Sequence, residues 1–365
     1  MTSTTPPITP ARSWAGILGM LLDGRDLTGE DTAWAMGRVV RGEATSAQIA
    51  GFLTALRAKG ETASELGGLV DALRGHATKV PIPGLFVDIA GTGGDRTGAV
   101  NISTMAAVVA AATGVTVVKH GGRAASSTSC GAADLLEHLG VSLEPTPERA
   151  ARVAAEAGIT FLFAPAFNPG LRHVAAARRE LAVPTAFNLL GPLINPADPG
   201  RQVVGVADAR MAPVIAGVLA ARGCSALVVR GRDGLDKLTT VTTSQVWTVT
   251  GGRVTATELD PRDLGLPRAE PADLRGGDAA HNAAVLRALL DGRRGPIRDV
   301  VLLNAAAALV TLTPSTVPST TPSTTPSTVP LADRLAAALA RCAEAVDSGT
   351  ARATLNRWVE AARQE

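Results

Sequence analysis

The sequence contains no tyrosine, and aromatic residues make up only 3% of its 365 positions. A nucleic-acid platform built on stacked bases therefore has little to stand on, and the core must rest on Ala, Val and Leu. There are three cysteines, Cys130, Cys224 and Cys342, far apart and odd in number, which argues against a disulfide framework or a CxxC zinc site. An excess of one charge is also missing. Lys and Arg number 35 against 33 Asp and Glu, a formal net charge of +2, too small for a general field toward nucleic acid or an anionic membrane. The longest apolar run, Met105 to Val118, is broken by Thr113 and Gly114 and is too short to span a bilayer. No charged segment followed by an apolar one opens the sequence. The expectation is a cytoplasmic protein with neither a nucleic-acid nor a membrane partner.

What is present divides the chain in two. From Ser13 to Ala77 apolar residues recur at helical spacing, as in Trp14-Ile17-Leu18-Leu21 and Ile49-Phe52-Leu53-Leu56, with Thr28 and Ser46 as N-caps. From Leu85 the pattern changes to short apolar runs (LFVDIA, VTVVK, ITFLFA, QVVGVA, SALVVRG), each followed by turn residues and an Ala-rich helical stretch. That alternation predicts α/β architecture with a mainly parallel sheet. The expected division is a small helical domain over 1–80, joined by helices around 170–190, and a larger α/β domain over 81–365. Ligands of such sheets sit beyond the carboxyl ends of the strands. In residues 313–330 Pro recurs every fourth position among Ser and Thr, which predicts an extended surface insertion.

Chemistry concentrates in the loops after strands. The segment Gly91-Thr92-Gly93-Gly94-Asp95 lets the backbone approach a ligand closely. Asn101-Ile102-Ser103-Thr104 then opens a helix, with Ser103 or Thr104 as the expected cap and its N–H groups suited to a phosphate. The stretch Lys119-His120-Gly121-Gly122-Arg123-Ala124-Ala125-Ser126-Ser127 combines two fixed positive charges, two glycines and two hydroxyls, a set suited to a diphosphate. His120 reads as a donor or positioning group. Asp233-Gly234-Leu235-Asp236-Lys237 offers a carboxylate for Mg²⁺, although Asp233-Gly234 alone reads as an ordinary turn. Phe167 to Leu181 reads as a helix on which only one of Arg178 and Arg179 can face a site.

In order, GTGGD, NIST, KHGxRAASS, FAPxFxP, AxxRREL, FNLLGPLxNPA and DGLDxLTT resemble the anthranilate phosphoribosyltransferases of tryptophan biosynthesis, over nearly the whole chain except the Pro/Ser/Thr insert. The resemblance implies transfer of the phosphoribosyl group of 5-phosphoribosyl 1-diphosphate to anthranilate, a homodimer, and Mg²⁺. It assigns the diphosphate donor to Gly91, Gly94, Asp95, Ala99, Asn101, Ile102, Ser103 and Thr104, to Lys119 through Ser127, and to Ala132. Lys119 and Arg123 would be the catalytic charges. Anthranilate falls to Gly91, Gly122 and Arg178, and metal to Ser103 and Asp236. Five features depart from the family pattern. Gly122 stands in place of Asn, Ala99 of Thr, Lys237 of a metal-binding Glu and Asn168 of His, and the loop Ser127–Asp134 is one residue longer. Two other readings are a phosphoribosyltransferase for a different aromatic acceptor, and a silent relative that binds nucleic acid or a partner.

Overall fold

The N-terminal helices form where side chains close their first turns. Thr28 and Asp31 make a reciprocal capping box ahead of helix Gly29–Val40, and Thr62 with Glu65 does the same for Ala63–His76. At the third helix the cap is Thr45, not Ser46. The Gln48 N–H donates to the Thr45 hydroxyl at 3.2 Å, and the Gln48 side chain accepts from the Thr45 N–H at 3.0 Å. Ser46 is thereby the first residue inside helix Ser46–Lys59.

This computed structural model describes residues 12–124, 130–312 and 329–363. Ala125, Ser126 and Ser127 of the basic loop, and 313–328 of the Pro-rich segment, lie outside the described residues.

Seven strands form one sheet: β1 (Phe86–Gly91), β2 (Thr116–Gly121), β3 (Ile159–Phe163), β4 (Arg201–Gly205), β5 (Ser225–Gly231), β6 (Ser244–Thr250) and β7 (Arg253–Leu259). Their order is β3-β2-β1-β4-β5-β6-β7, parallel from β3 to β5 and antiparallel thereafter. The β6–β7 hairpin extends the sheet beyond the five apolar runs that mark β1 to β5 in the sequence. Its turn is Gly251-Gly252, both at positive φ, as a two-residue hairpin turn requires.

Period-2 alternation sends neighbouring residues to opposite faces. Val203, Leu227 and Val229 enter a cluster with helices Ile102–Ala112, Pro296–Leu312 and Leu331–Asp347. Val204, Ala226 and Val228 enter a second cluster with Leu53, Leu69, Val174, Leu190 and Ile215. The second cluster therefore joins the N-terminal helices, the 172–194 segment and helix Ala212–Ala221 to one sheet face. Strand order reverses between β1 and β4, so the crevice of the switch point opens beyond Gly91 and Gly205.

Candidate active site

At that crevice Gly91 and Gly205 are register partners on β1 and β4. The loop after β5 rests on both. A Cβ at Gly205 would stand 1.5 Å from the Asp236 carbonyl oxygen, and one at Gly91 would stand 2.3 Å from Asp236 Oδ2. Neither distance is possible for a side chain, so glycine at both strand ends is what admits Asp236. The Gly93 N–H donates to Asp236 Oδ2 at 2.7 Å, and the Lys237 ammonium pairs with Asp236 Oδ1 and, at 3.4 Å, with Asp95 Oδ2. Burial pushes the Asp236 carboxyl up to about 6 against the pull of Lys237. Burial also acts on Asp95, but there the Lys237 charge wins and holds the carboxyl well below its ordinary range. Lys237 stays charged, its desolvation offset by the two carboxylates. The Gly-rich loop and the β5 loop are thus clasped together by one cation and two acids.

Helix Ile102–Ala112 begins nearby without a side-chain cap. Asn101 holds the N-cap position, which corrects the expectation of a Ser103 or Thr104 cap. Its amide donates to the Cys130 carbonyl at 2.8 Å and its Oδ1 accepts from Asn282 at 2.8 Å. Asn282 Oδ1 in turn accepts from the Gly277 N–H at 2.9 Å. The side chains of Ile102 and Thr104 are buried, and the Ile102 N–H already donates to the Val100 carbonyl. Ser103 is half-buried, and among the described residues neither its hydroxyl nor its N–H has a partner. Ala99 is held by a bridge to Arg275.

The basic stretch is not one exposed loop. Strand β2 continues through Gly121, which places Lys119 and His120 inside the sheet at 3% and 2% exposure. Lys119 Nζ donates to the Ile89 carbonyl at 2.6 Å. Burial lowers this amine to about 8, opposed by the neighbouring Asp88. His120 Nδ1 meets the Gly191 carbonyl at 3.0 Å, an oxygen that can only accept, so the proton is on Nδ1 and Nε2 accepts from the Asn168 amide at 3.4 Å. Burial lowers the imidazole to about 4. Asp88, lifted to about 6 by burial, accepts from the His120 N–H and from Asn195, whose amide also reaches the Val118 carbonyl. Lys119 and His120 are framework here, not open phosphate contacts.

Arg123 is also engaged. It pairs with Asp134 at 3.0 Å and with Glu137 at 2.7 Å, and its guanidinium lies 5.7 Å from the Phe163 ring centroid. Gly122 faces space: a Cβ there meets nothing within 4 Å among the described residues. Ala132 opens the helix Ala132–Leu139, whose second N–H donates to the Gly122 carbonyl at 3.2 Å. The helix expected over Phe167–Leu181 is broken at Asn168-Pro169 and resumes as Arg172–Leu181. Arg178 is exposed there and stands 5.3 Å from the centroid of Phe187.

The sequence gives Gly205, Asn195 and Asn282 no assigned role, although Gly205 ends an apolar strand and Asn195 lies within FNLLGPLxNPA.

With this geometry in view, residues 84–352 match the glycosyl transferase family, a/b domain, and residues 15–77 match the glycosyl transferase family, helical bundle domain. The two matches define a glycosyl transferase of helical-bundle and α/β construction. The anthranilate phosphoribosyltransferase of Streptomyces griseus is 57% identical over 351 residues, covering 96% of each chain. That of Thermobifida fusca is 54% identical over 352 residues, with 96% of this chain and 97% of that one covered. Among solved structures, the Thermus thermophilus anthranilate phosphoribosyltransferase matches with a TM-score of 0.84 at 40% identity, covering 95% of this chain and 99% of that one. The Saccharomyces cerevisiae enzyme in complex with PRPP and Mg matches with a TM-score of 0.82 at 26% identity, covering 96% and 97%. The chain belongs to the anthranilate phosphoribosyltransferase family.

Proposed function

We propose that the protein breaks the C1–O bond of 5-phosphoribosyl 1-diphosphate and joins C1 to the amine of anthranilate, releasing diphosphate and the amine's proton. This is the second step of tryptophan biosynthesis from chorismate. One observation carries the reading: the uncapped N-terminus of helix Ile102–Ala112, with Ser103 at its mouth, opens beside a Gly-rich loop that Asp236 fixes from across the sheet. The Ser103 N–H and hydroxyl, without partners among the described residues, would meet a departing diphosphate as it gathers charge, while the Gly93 N–H holds the loop to Asp236. The S. cerevisiae relative, whose structure holds PRPP and Mg, supports the same donor here.

The residues fit one Mg²⁺ better than two. The Ser103 hydroxyl is available, and with the donor's own oxygens it would hold an ion that neutralises the leaving diphosphate. Asp236, assigned to metal on resemblance, does not fit that role. It is 1% exposed, and its two carboxylate oxygens are taken by the Gly93 N–H and the Lys237 ammonium. No group of three or more metal-ligating side chains occurs among the described residues.

In this reading Arg178 pairs with the anthranilate carboxylate and sets the amine toward C1. Arg123 holds the basic loop to helix Ala132–Leu139, while Lys119 and His120 fix the ends of β1 and β2. A homodimer in the cytoplasm completes the proposal, and no described helix is long and apolar enough to cross a membrane. The test offers purified protein the diphosphate donor, Mg²⁺ and either anthranilate, 4-aminobenzoate or aniline. Selective consumption of anthranilate supports the reading. Preference for another amine, which the absence of a side chain at Gly122 would permit, transfers it to a different acceptor.

A further inference from the structure

A second basin lies away from the crevice, between the Gly140–Thr146 loop and helices Pro147–Ala157 and Thr350–Arg363. Its volume is about 510 Å³. Arg149, Arg152 and Arg363 line it, and among the described residues none of these three pairs with a carboxylate. Ser142 and Thr146 add hydroxyls. The one acid in the lining, Glu137, is already bound to Arg123 at 2.7 Å. Behind the basin a recess of about 10 Å³ is lined by Arg149, Phe161 and Trp358. Two buried donors there, Arg149 Nε and Trp358 Nε1, have no hydrogen-bond partner. Trp358 is fully buried.

An unmade hydrogen bond on a buried donor is costly, and two at one recess call for an acceptor. Arg149 also donates to the Ala361 carbonyl and Arg363 to the Gly140 carbonyl at 3.4 Å, but among the described residues no carboxylate offsets the three charges at the mouth. That makes the acceptor an anion, and the summed charge favours a dianion over a single carboxylate. We infer that this basin binds a phosphate dianion, free or carried on a small molecule, as a site separate from the transfer reaction. One phosphate oxygen enters the recess to accept from Arg149 and Trp358, and the others meet Arg152 and Arg363. None of these residues takes part in the chemistry proposed above.

Trp358 supplies the readout. Inorganic phosphate is titrated into the full-length protein at constant ionic strength, following tryptophan fluorescence and melting temperature. The expected result is a saturable fluorescence change, absent in Trp358→Phe, with a rise in melting temperature. In the Arg152→Ala/Arg363→Ala double variant, where both side chains are exposed and the fold is kept, the apparent Kd rises about tenfold or more. Succinate as the added anion gives a much smaller response. Identical phosphate curves in wild type and double variant overturn the site, because phosphate then binds elsewhere. A succinate response equal to that of phosphate overturns the assignment to a phosphate. Loss of transferase activity does not bear on either outcome.

Discussion

The Asp236 carboxylate accepts a 2.7 Å hydrogen bond from the Gly93 N–H, 143 positions away in the chain. That contact exists because Gly91, two residues earlier, has no side chain: a Cβ would stand 2.3 Å from the same oxygen. Gly91→Ala is therefore expected to expel Asp236 from the crevice and to cost about 1–3 kcal/mol of stability. Transfer activity should fall by more than tenfold, since the Gly-rich loop loses its anchor. A denaturant titration with a parallel rate assay checks both; a variant with wild-type rates would mean the anchor is dispensable.

Lys237 stands where the resemblance implies a metal-binding Glu, and it bonds Asp236 and Asp95. Wild-type protein with bound diphosphate should titrate with Mg²⁺ as a single class of site. Lys237→Glu places a third acid beside buried Asp236 and half-buried Asp95, so without metal it should melt well below wild type, and Mg²⁺ should recover part of the loss through a second site. Calorimetric Mg²⁺ isotherms that coincide for the two proteins would show that Lys237 does not stand in for an ion.

The depressed His120 pKa fixes a pH dependence. In the folded protein the ring takes up its proton only near pH 4, whereas the unfolded chain does so near the ordinary value of 6.5. Between those values the unfolded state binds more protons, so this group's contribution is fully favourable above 6.5 and declines as pH falls toward 4. Asp88, raised to about 6, pulls the opposite way over its own window and masks the trend in wild type. His120→Gln removes only the histidine's share. Its stability relative to wild type should improve by roughly 3 kcal/mol from pH 7 to pH 4. A stability difference that does not change with pH would place the proton elsewhere.

Arg178→Ala should raise the KM for anthranilate at least tenfold with little change in the KM for the diphosphate donor, because a two-point carboxylate contact is worth about 1.5–3 kcal/mol. Arg179→Ala is the control and should leave both unchanged. Gly122→Asn, entering space where a Cβ meets nothing within 4 Å among the described residues, should fold normally and lower the anthranilate KM. Steady-state kinetics with each substrate varied in turn separates these effects.

Strands β1 to β5 are legible in the sequence as short apolar runs, closed by glycine at β1, β2, β4 and β5 and by Ala164-Pro165 at β3. The β6–β7 hairpin is harder to read: Gly251-Gly252 marks its turn, but every residue of β7 but Leu259 is exposed and its Val254 and Ala256 make no apolar run. The Gly-rich loop and the Ser103 helix mouth can be read from local spacing. The fate of Lys119 cannot: it is decided by how far β2 extends and by the buried Asp88 and Ile89 carbonyl that receive its charge. Arg123 is similar, because its partners Asp134 and Glu137 lie on a helix that folds back over the loop. Asn195 and Asn282 are ordinary polar residues in the sequence, and only the tertiary fold gives them buried hydrogen-bond partners.

The central claim is transfer of the phosphoribosyl group to anthranilate, and stoichiometry tests it most directly. Purified protein is mixed with the diphosphate donor, anthranilate and Mg²⁺, and loss of anthranilate fluorescence is measured alongside released diphosphate. The account predicts the two in equal amounts, with N-(5-phosphoribosyl)anthranilate as the product by mass. Diphosphate release without loss of anthranilate, or no consumption of either substrate, would contradict it.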